Sequence, residues 1–598
     1  MKSFAELLAQ RAPASAAEPP TESAGAAARP VRRREVPAQA ASLGAMHPVL
    51  QRVYAARGIA DSGQLKLTLE RLLPVGTLEN VEAAAALLLA HRERRIVVVG
   101  DFDADGATST ALLLRALRSW GFAEVDFLVP DRFRFGYGLT PEIVDLAQQR
   151  APSLIVTVDN GISSVAGVAR ARELGIAVLV TDHHLPGAQL PAADVIVNPN
   201  LPGSTFGSRA LAGVGVAFYV MAALRRAMQA QALLPASALP VAELLDLVAL
   251  GTVADLVALD DNNRVLVAQG LKRIREGRCV PGIRALLEIA NRASADLTAT
   301  DLGFAVAPRL NAAGRLDDMS IGINCLLAAT LEEARVGAAR LDELNKERRR
   351  IEADMQALAL TAVRGIDLPR RGPRRQGLCI FDASWHQGVV GLVASRVKDR
   401  VRRPVIAFAR AGDESALRGS ARSVPGVHIR DVLDAIATQE PDLIARFGGH
   451  AMAAGLTIQE SQLDRFARAF DQAVGRVNGQ GEDDAILTDG ELEESQIALA
   501  TAQLLRDAGP WGQAFPEPSF DGEFEVLRAR VVGERHVKLQ LRPVDARATF
   551  DAIAFNFLDD DVVKPPEGRV RLVYRLDINE YRGERRLQLM VDHLQSLP

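Results

Sequence analysis

Five short β-rich runs constrain this chain more than any other feature: Ile96–Val99, Val125–Val129, Leu154–Val158, Val178–Val180 and Val195–Val197. Each is bounded by turn residues, and amphipathic helical patterns fill most of the gaps between them. Parallel strands need long crossover connections, so this alternation predicts a parallel sheet flanked by helices. In such sheets ligands gather outside the carboxyl ends of the strands. The chemistry is therefore expected just after these runs.

The first run leads into Gly100-Asp101-Phe102-Asp103-Ala104-Asp105-Gly106. Three carboxylates on alternate residues repel one another unless cations lie between them, although one such loop can also be a solvated turn. Leu154–Val158 leads into Asp159-Asn160-Gly161, and Val178–Val180 into Thr181-Asp182-His183-His184. Adjacent parallel strands would bring these ligand types together. Asp255, at the end of a helical pattern, adds a further carboxylate; alone it reads as a cap or a surface residue. Carboxylates with one or two imidazoles suit Mn²⁺ or Mg²⁺ better than a structural zinc. Two such cations, about 3.5–4 Å apart, suit in-line hydrolysis of a phosphate ester.

At 598 residues the chain exceeds one core of roughly 100–200 residues, and three or four domains are expected. Residues 1–45, rich in Ala and Pro with a basic cluster at Arg32, Arg33 and Arg34, read as a flexible tail without a catalytic role. A catalytic domain over 46–330 follows, with a helical region from about 205 to 300. The charged amphipathic stretch 331–365, carrying Leu341, Leu344, Ile351, Met355 and Leu358, reads as one long helix in a connecting segment that runs to 368. A second α/β lobe is expected over 376–475 and a linker over 476–510.

From 511 to 598 the pattern turns to short strands: Glu523–Val532, His536–Pro543, Phe550–Phe557, Arg569–Asn579 and Arg586–His593. They suit a small barrel of the OB type, a short β-sandwich being the alternative. The net charge of −4 advertises no nucleic-acid partner, so DNA contacts would have to be local basic patches. Cys279, Cys325 and Cys379 lack the spacing of a disulfide framework or zinc knot. With no long apolar run and no secretory pattern at the start, a cytoplasmic protein is expected.

In this order, Asp-x-Asp-x-Asp-Gly, Val-Asp-Asn-Gly and Asp182-His183-His184 resemble the DHH phosphoesterase superfamily. The likeness extends through Leu211-Ala212-Gly213-Val214-Gly215, Pro308-Arg309-Leu310-Asn311-Ala312-Ala313-Gly314-Arg315 and Trp385-His386-Gln387-Gly388. Phe447-Gly448-Gly449-His450 is similar to the hallmark of the associated second lobe, DHHA1. Over roughly residues 47–598 the combination resembles the RecJ-type family of single-stranded-DNA-specific 5′→3′ exonucleases. That family implies an α/β fold in which a parallel-sheet DHH lobe is joined by a long helix to an α/β DHHA1 lobe, with an OB-like β-barrel at the C-terminus.

By the same resemblance Asp103, Asp105, Asp159, His183 and Asp255 would hold two divalent cations, Mn²⁺ or Mg²⁺, with Asp159 bridging and Asp101 an additional ligand. His184 would contact the scissile phosphate, and Asp182 would orient an imidazole, a helix cap being its alternative. Gly448, Gly449 and His450 would approach the substrate, and Arg132, Arg309, Arg315, Ser420 and Arg422 would bind phosphates, structural ion pairing being the alternative for each arginine. Tyr137 and Trp385 would stack on bases unless buried. His386, His428 and His536 are assigned no role by it. The resemblance further implies a monomer that threads one strand of DNA between its two α/β lobes. Its partners would be a single-strand-binding protein and a helicase, with no membrane. Two alternatives stay open: a small-substrate phosphodiesterase of the superfamily (a nano-RNase or a cyclic-dinucleotide phosphodiesterase), generally shorter and without the barrel, and a noncatalytic single-strand-binding relative.

One departure stands out. Pyrophosphatase-like members of the superfamily carry a histidine four residues before the first Asp of the D-x-D pair. Counted back from Asp103, that position is Val99, and Asp101 is the residue expected to fill the vacancy.

Overall fold

The structure, a computed structural model, describes residues 29–597 apart from 38–42, 45, 131–134, 136–137, 188, 368–375, 412–414, 450, 478–484, 559–561, 563 and 582. The described chain begins with a short strand, β1 (Val31–Arg33). The strands β2 (Arg95–Gly100), β3 (Glu124–Leu128), β4 (Leu154–Val158), β5 (Ala177–Thr181) and β6 (Val195–Val197) then build an all-parallel sheet in the order β3-β2-β4-β5-β6. Ile96–Val99 and Leu154–Val156 are fully buried, as expected of central strands covered on both faces by crossover helices. From β2 the chain steps outward to β3 and returns on the other side as β4. The order therefore reverses between β2 and β4, which is where such sheets bind ligands.

Register does the rest. Gly100, Val158, Thr181 and Val197 lie abreast on β2, β4, β5 and β6. The next residue on each strand is Asp101, Asp159, Asp182 and Asn198, so four polar side chains leave the sheet in one row at strand spacings of about 4.8 Å.

The long amphipathic stretch forms one helix, Leu331–Asp367, and the basic segment Pro369–Arg375, expected as a linker after it, lies outside the described residues. The molecule divides into two compact units, Pro30–Asp342 with Ala485–Pro598, and Glu343–Asp484. The latter carries β7 (Leu378–Phe381), β8 (Val405–Arg410), β9 (Ala416–Arg422), β10 (Arg446–Gly449) and β11 (Ala453–Gln459). They form a mixed sheet ordered β10-β11-β9-β8-β7, with helices Val390–Val401, Ile429–Gln439 and Leu463–Val477.

Beyond it come β12 (Ile486–Thr488) and a closed barrel of β13 (Phe520–Val532), β14 (His536–Pro543), β15 (Phe550–Ala554), β16 (Gly568–Tyr581) and β17 (Glu584–Ser596), ordered β13-β14-β15-β17-β16. Closure decides for the barrel over the sandwich. Val537, Leu539 and Leu541, alternate residues of β14, are buried inside it.

Two expectations need correction. The segment 476–510 is not a plain linker, because β12 pairs in parallel with β1 and the helix Leu499–Asp507 follows. The basic cluster of the supposed tail is likewise engaged: Arg33 bonds Asp521 at 2.9 Å, and Arg34 N–H donates to the Thr488 carbonyl at 2.7 Å. The segment that leads into the barrel also shares a seam with the parallel-sheet domain. Arg57 forks onto both oxygens of the buried Asp489 at 2.6 and 2.9 Å, Leu259 N–H bonds the Gln513 carbonyl at 2.8 Å, and Arg264 lies 4.1 Å over the ring of Phe515.

Candidate metal centre

The acidic loop is held open for cations by backbone contacts. Asp103 caps the helix Ala104–Ser119, its Oδ1 accepting the Gly106 N–H at 3.0 Å. Asp105 lies within the first turn, fully buried, and accepts the Gly213 and Val214 N–H groups at 2.6 and 2.9 Å. Those donors open the helix Gly213–Ala230, whose positive end favours a carboxylate. Asp159 sits at the end of β4 with φ +61, a left-handed conformation that Asp tolerates better than most residues.

His183 joins the clusters. Its Nε2 lies 3.1 Å from Asp159 Oδ1, 3.4 Å from Asp255 Oδ2 and 4.0 Å from Asp105 Oδ2. Three groups of ligand atoms each fall within 4.8 Å of one another: Asp101, Asp103 and Asp159; Asp105, His183 and Asp255; and Asp159, His183 and His184. Asp159 belongs to two of them, as does His183.

Electrostatics shows why this set suits cations. Burial first, then the neighbouring Asp103, pushes the Asp105 carboxyl up to about 7 against the two N–H bonds that hold it down. Burial and the charges of Asp105 and Asp103 likewise raise Asp159 and Asp255 well above the ordinary carboxylate range. Buried carboxylates that raise one another this way are relieved by positive charge, and an oxygen-rich set with one or two imidazoles fits hard or borderline divalent ions.

Asp182 behaves differently. Burial works to raise it, but His184 and His183 prevail and lower it. Its Oδ1 accepts His184 Nδ1 at 2.7 Å and the His183 N–H at 2.7 Å, while Oδ2 accepts the Ile162 N–H at 2.9 Å. An ionised carboxylate only accepts, so Nδ1 of His184 carries the proton. Burial lowers the His184 imidazole, but Asp182 outweighs it and lifts the group to about 9.

Some supporting residues escaped the sequence reading. Asn200 Nδ2 bonds the His183 carbonyl at 2.6 Å, Asn198 Nδ2 the His184 carbonyl at 2.9 Å, and Asn160 Nδ2 the Val99 carbonyl at 3.1 Å. Asn311 Oδ1 accepts the Ala104 N–H at 2.8 Å. Glycines do as much by absence. A Cβ on Gly314 would stand 1.7 Å from the Phe102 carbonyl oxygen, one on Gly213 2.6 Å from Asp159 Cβ, and one on Gly251 2.9 Å from Asp105 Oδ1. Gly213 and Gly314 lie in motifs quoted above, and tight approach to the acidic loops is the physical demand behind them.

The other expected contacts divide. Ser420 and Arg422 lie together on β9, with Arg422 Nη1 3.0 Å from Ser420 Oγ. Gly448 is in register with Gly455 of β11, itself opposite Ser420, so this cluster spans three strands of one sheet; Gly449 ends β10. Arg309 takes the structural alternative, its Nε pairing with Asp342 at 2.8 Å, whereas Arg315 lies one helical turn beyond Asn311. Trp385 is buried at 6% exposure, which favours packing over stacking. Arg132, Tyr137 and His450 lie outside the described residues.

The place of Asp101 beside Asp103 and Asp159 makes the Val99 departure testable. Asp101→Asn keeps size and turn-forming ability but removes the charge. It is expected to raise the metal concentration for half-maximal cleavage by roughly 10-fold, about 1.4 kcal/mol. A titration that overlays the wild type would reduce Asp101 to a turn residue.

The chain is similar to known proteins over most of its length. Residues 95–252 match the DHH family, N-terminal domain, 375–476 the DHHA1 domain, and 488–593 the RecJ OB domain. The chain is 53% identical over 575 residues to the single-stranded-DNA-specific exonuclease RecJ of Escherichia coli (strain K12), covering 94% of this chain and 98% of that protein. It is similar to the crystal structure of RecJ in complex with Mn²⁺ from Thermus thermophilus, with a TM-score of 0.77 and 30% identity over 96% of this chain and 80% of that one. The Mg²⁺ complex from the same organism matches with a TM-score of 0.71 and 27% identity, over 96% and 79% of the two chains.

Proposed function

The chain belongs to the RecJ family of single-stranded-DNA-specific exonucleases, and we propose that it hydrolyses single-stranded DNA from the 5′ end to mononucleotides, using two divalent cations, Mn²⁺ or Mg²⁺, in repair and recombination. The observation that carries the chemistry is the convergence of Asp101, Asp103, Asp105, Asp159 and Asp255 with His183 and His184. Bound there, the cations supply Lewis-acid stabilisation of the charge that develops on the phosphoryl group.

The chain's own residues do the positioning. Asp159 and His183, each shared by two ligand groups, fix the spacing of the set. Asp182 holds Nδ1 of His184 and so orients the imidazole beside Asp159 and His183, where it would meet the scissile phosphate. In the second unit, Ser420 and Arg422 with the side-chain-free Gly448 and Gly449 make a surface on which a phosphate backbone can lie close. The small-substrate alternative has no need of the barrel that this chain seams to its catalytic core. Among the described residues no single helix is long and apolar enough to cross a membrane. The same reading makes the enzyme a cytoplasmic monomer working beside a single-strand-binding protein and a helicase.

One oligonucleotide labelled separately at each end tests this. With Mn²⁺, the 5′ label is expected in mononucleotide from the first turnovers while the 3′ label stays in long strands, and EDTA should stop both. A blunt duplex is expected to be cut at least about 10-fold more slowly, and binding should weaken as salt rises. Early release of the 3′ label would reverse the polarity, and equal rates on blunt duplex would end the single-strand reading.

A further inference from the structure

The helical run that leads to the acidic loop contains a proline, Pro308. Pro308 has no backbone N–H, and in a regular helix its ring would collide with the carbonyl four residues back, that of Phe304. The helical segment starting at Ala299 widens accordingly into a π-turn over Leu302–Val306 before the regular helix Ala307–Leu316 takes over. Such turns are rare and concentrate at functional sites. Arg309 pins this one, donating to the Ala305 carbonyl while pairing with Asp342. Phe304 rides on the pinned turn with 76% of its surface exposed.

That turn is tied to the metal centre on two sides. The helix it feeds holds the acidic loop through Asn311 on the Ala104 N–H and through Gly314 against the Phe102 carbonyl. On the other side, a Cβ on Gly303 would stand 3.3 Å from Val253, two residues before Asp255. Leu256, the residue after Asp255, is itself 71% exposed and held at φ +58, so a second large apolar side chain stands in water next to a ligand.

Phe304 also borders a cleft of about 600 Å³ between the catalytic helices and strands β16 and β17 of the barrel. The cleft's four arginines are matched by four carboxylates, so it carries no net charge. A track for phosphates needs an excess of positive charge. A neutral cleft with a fixed aromatic face offers stacking, which every base can use.

We infer that Phe304 is a stacking platform for a nucleobase of the single-stranded substrate, placed where the strand passes between the metal centre and the barrel. The inference rests on the exonuclease reading above and adds a residue that acts through a base, whereas the metal ligands act on the phosphate. It explains how a chain with net charge −4 holds single strands of any sequence: part of the affinity is not electrostatic.

Binding of a fluorescent oligothymidine to the full chain in EDTA tests it, because nothing is cleaved. Phe304→Ala is expected to weaken binding roughly 10-fold or more, and Phe304→Trp to bind at least as tightly as wild type. The slope of log affinity on log salt should stay unchanged in both, since no phosphate contact is lost. An abasic site moved along the oligonucleotide should weaken wild type at one position and cost Phe304→Ala nothing further there. Unchanged unfolding temperatures would show that both variants fold. The inference falls if Phe304→Ala binds within about twofold of wild type, if Phe304→Trp is as weak as Ala, or if the abasic penalty is the same in both proteins. Wild type that cleaves no single strand with Mn²⁺ would overturn the exonuclease reading itself, a separate result from wild type and variant binding alike.

Discussion

Asp159→Asn is expected to reduce cleavage of single-stranded DNA by about three orders of magnitude or more, which corresponds to about 4 kcal/mol of transition-state stabilisation. Asp159 belongs to two of the three ligand groups, so its loss weakens both parts of the centre at once. Asn is the informative replacement because it keeps the shape that packs on Gly213 and tolerates the φ of +61, where Ala would add strain. The fold should survive. Burial and acidic neighbours raise the Asp159 carboxyl, so the folded chain holds that proton more tightly than the unfolded chain does. Stability is then lost as pH climbs through the raised value, and a neutral amide removes the loss. In EDTA at pH 8 the variant is therefore expected to melt at or above the wild-type temperature, while added Mn²⁺ should stabilise wild type more than the variant. Activity above about a tenth of wild type would contradict the shared-ligand assignment.

Gly314→Ala is the second large effect, and its sign is a contest. In a helix interior, Ala is favoured over Gly by about 1 kcal/mol. Here the added Cβ would lie 1.7 Å from the Phe102 carbonyl oxygen, a backbone atom of the loop that carries Asp101 and Asp103. Either the helix or the loop must move by more than an ångström, and overpacking of this kind costs roughly 1–3 kcal/mol or more. The expected result is a net destabilisation of about 2 kcal/mol in urea unfolding. A loss of roughly 100-fold in kcat should accompany it, since misplacing a metal loop by about 1 Å costs that much. Gly475→Ala is the control: its Cβ would meet only Gln376 at 3.5 Å, in the helix Leu463–Val477 of the other unit, so the protein should be unchanged or slightly more stable. A Gly314→Ala protein as stable and active as wild type would mean that helix and loop are not in contact as described.

These two residues also mark what the sequence could and could not reveal. Asp159 was legible because it ends an apolar run that alternates with helices, and parallel register then fixes where its side chain must go. The five strands of the sheet, the Leu331–Asp367 helix and the five strands of the barrel came from the same kind of periodic signal. Gly314 was visible within a motif, but a glycine's reason lies in the atom it approaches, and that partner is more than 200 residues away in the chain. Asn198 and Asn200 were silent for a similar cause, since amides that hold backbone carbonyls leave no periodic trace. Strand β1 was missed because three residues, two of them Arg, look like tail until the parallel partner Ile486–Thr488 is known. Barrel and sandwich share one period-two pattern, and only closure between β13 and β16 separates them.

The seam between the first and last parts of the chain bears on how the protein is made. Arg33, Arg57 and Arg264 have their partners at Asp521, Asp489 and Phe515, while the Glu343–Asp484 unit is spliced in between. On the ribosome, the parallel sheet can assemble long before those partners exist. Synthesis from Asp342 to Asp521 covers about 180 residues, roughly 10–40 s at ~5–20 residues per second. During that interval Arg57 and Arg264, both buried in the finished protein, stay exposed, and the inserted unit has time to fold alone. The nascent enzyme is thus a half-closed book whose binding arrives last, and a ribosome stalled near Asn478 should present a catalytic domain more open to proteases than the released chain.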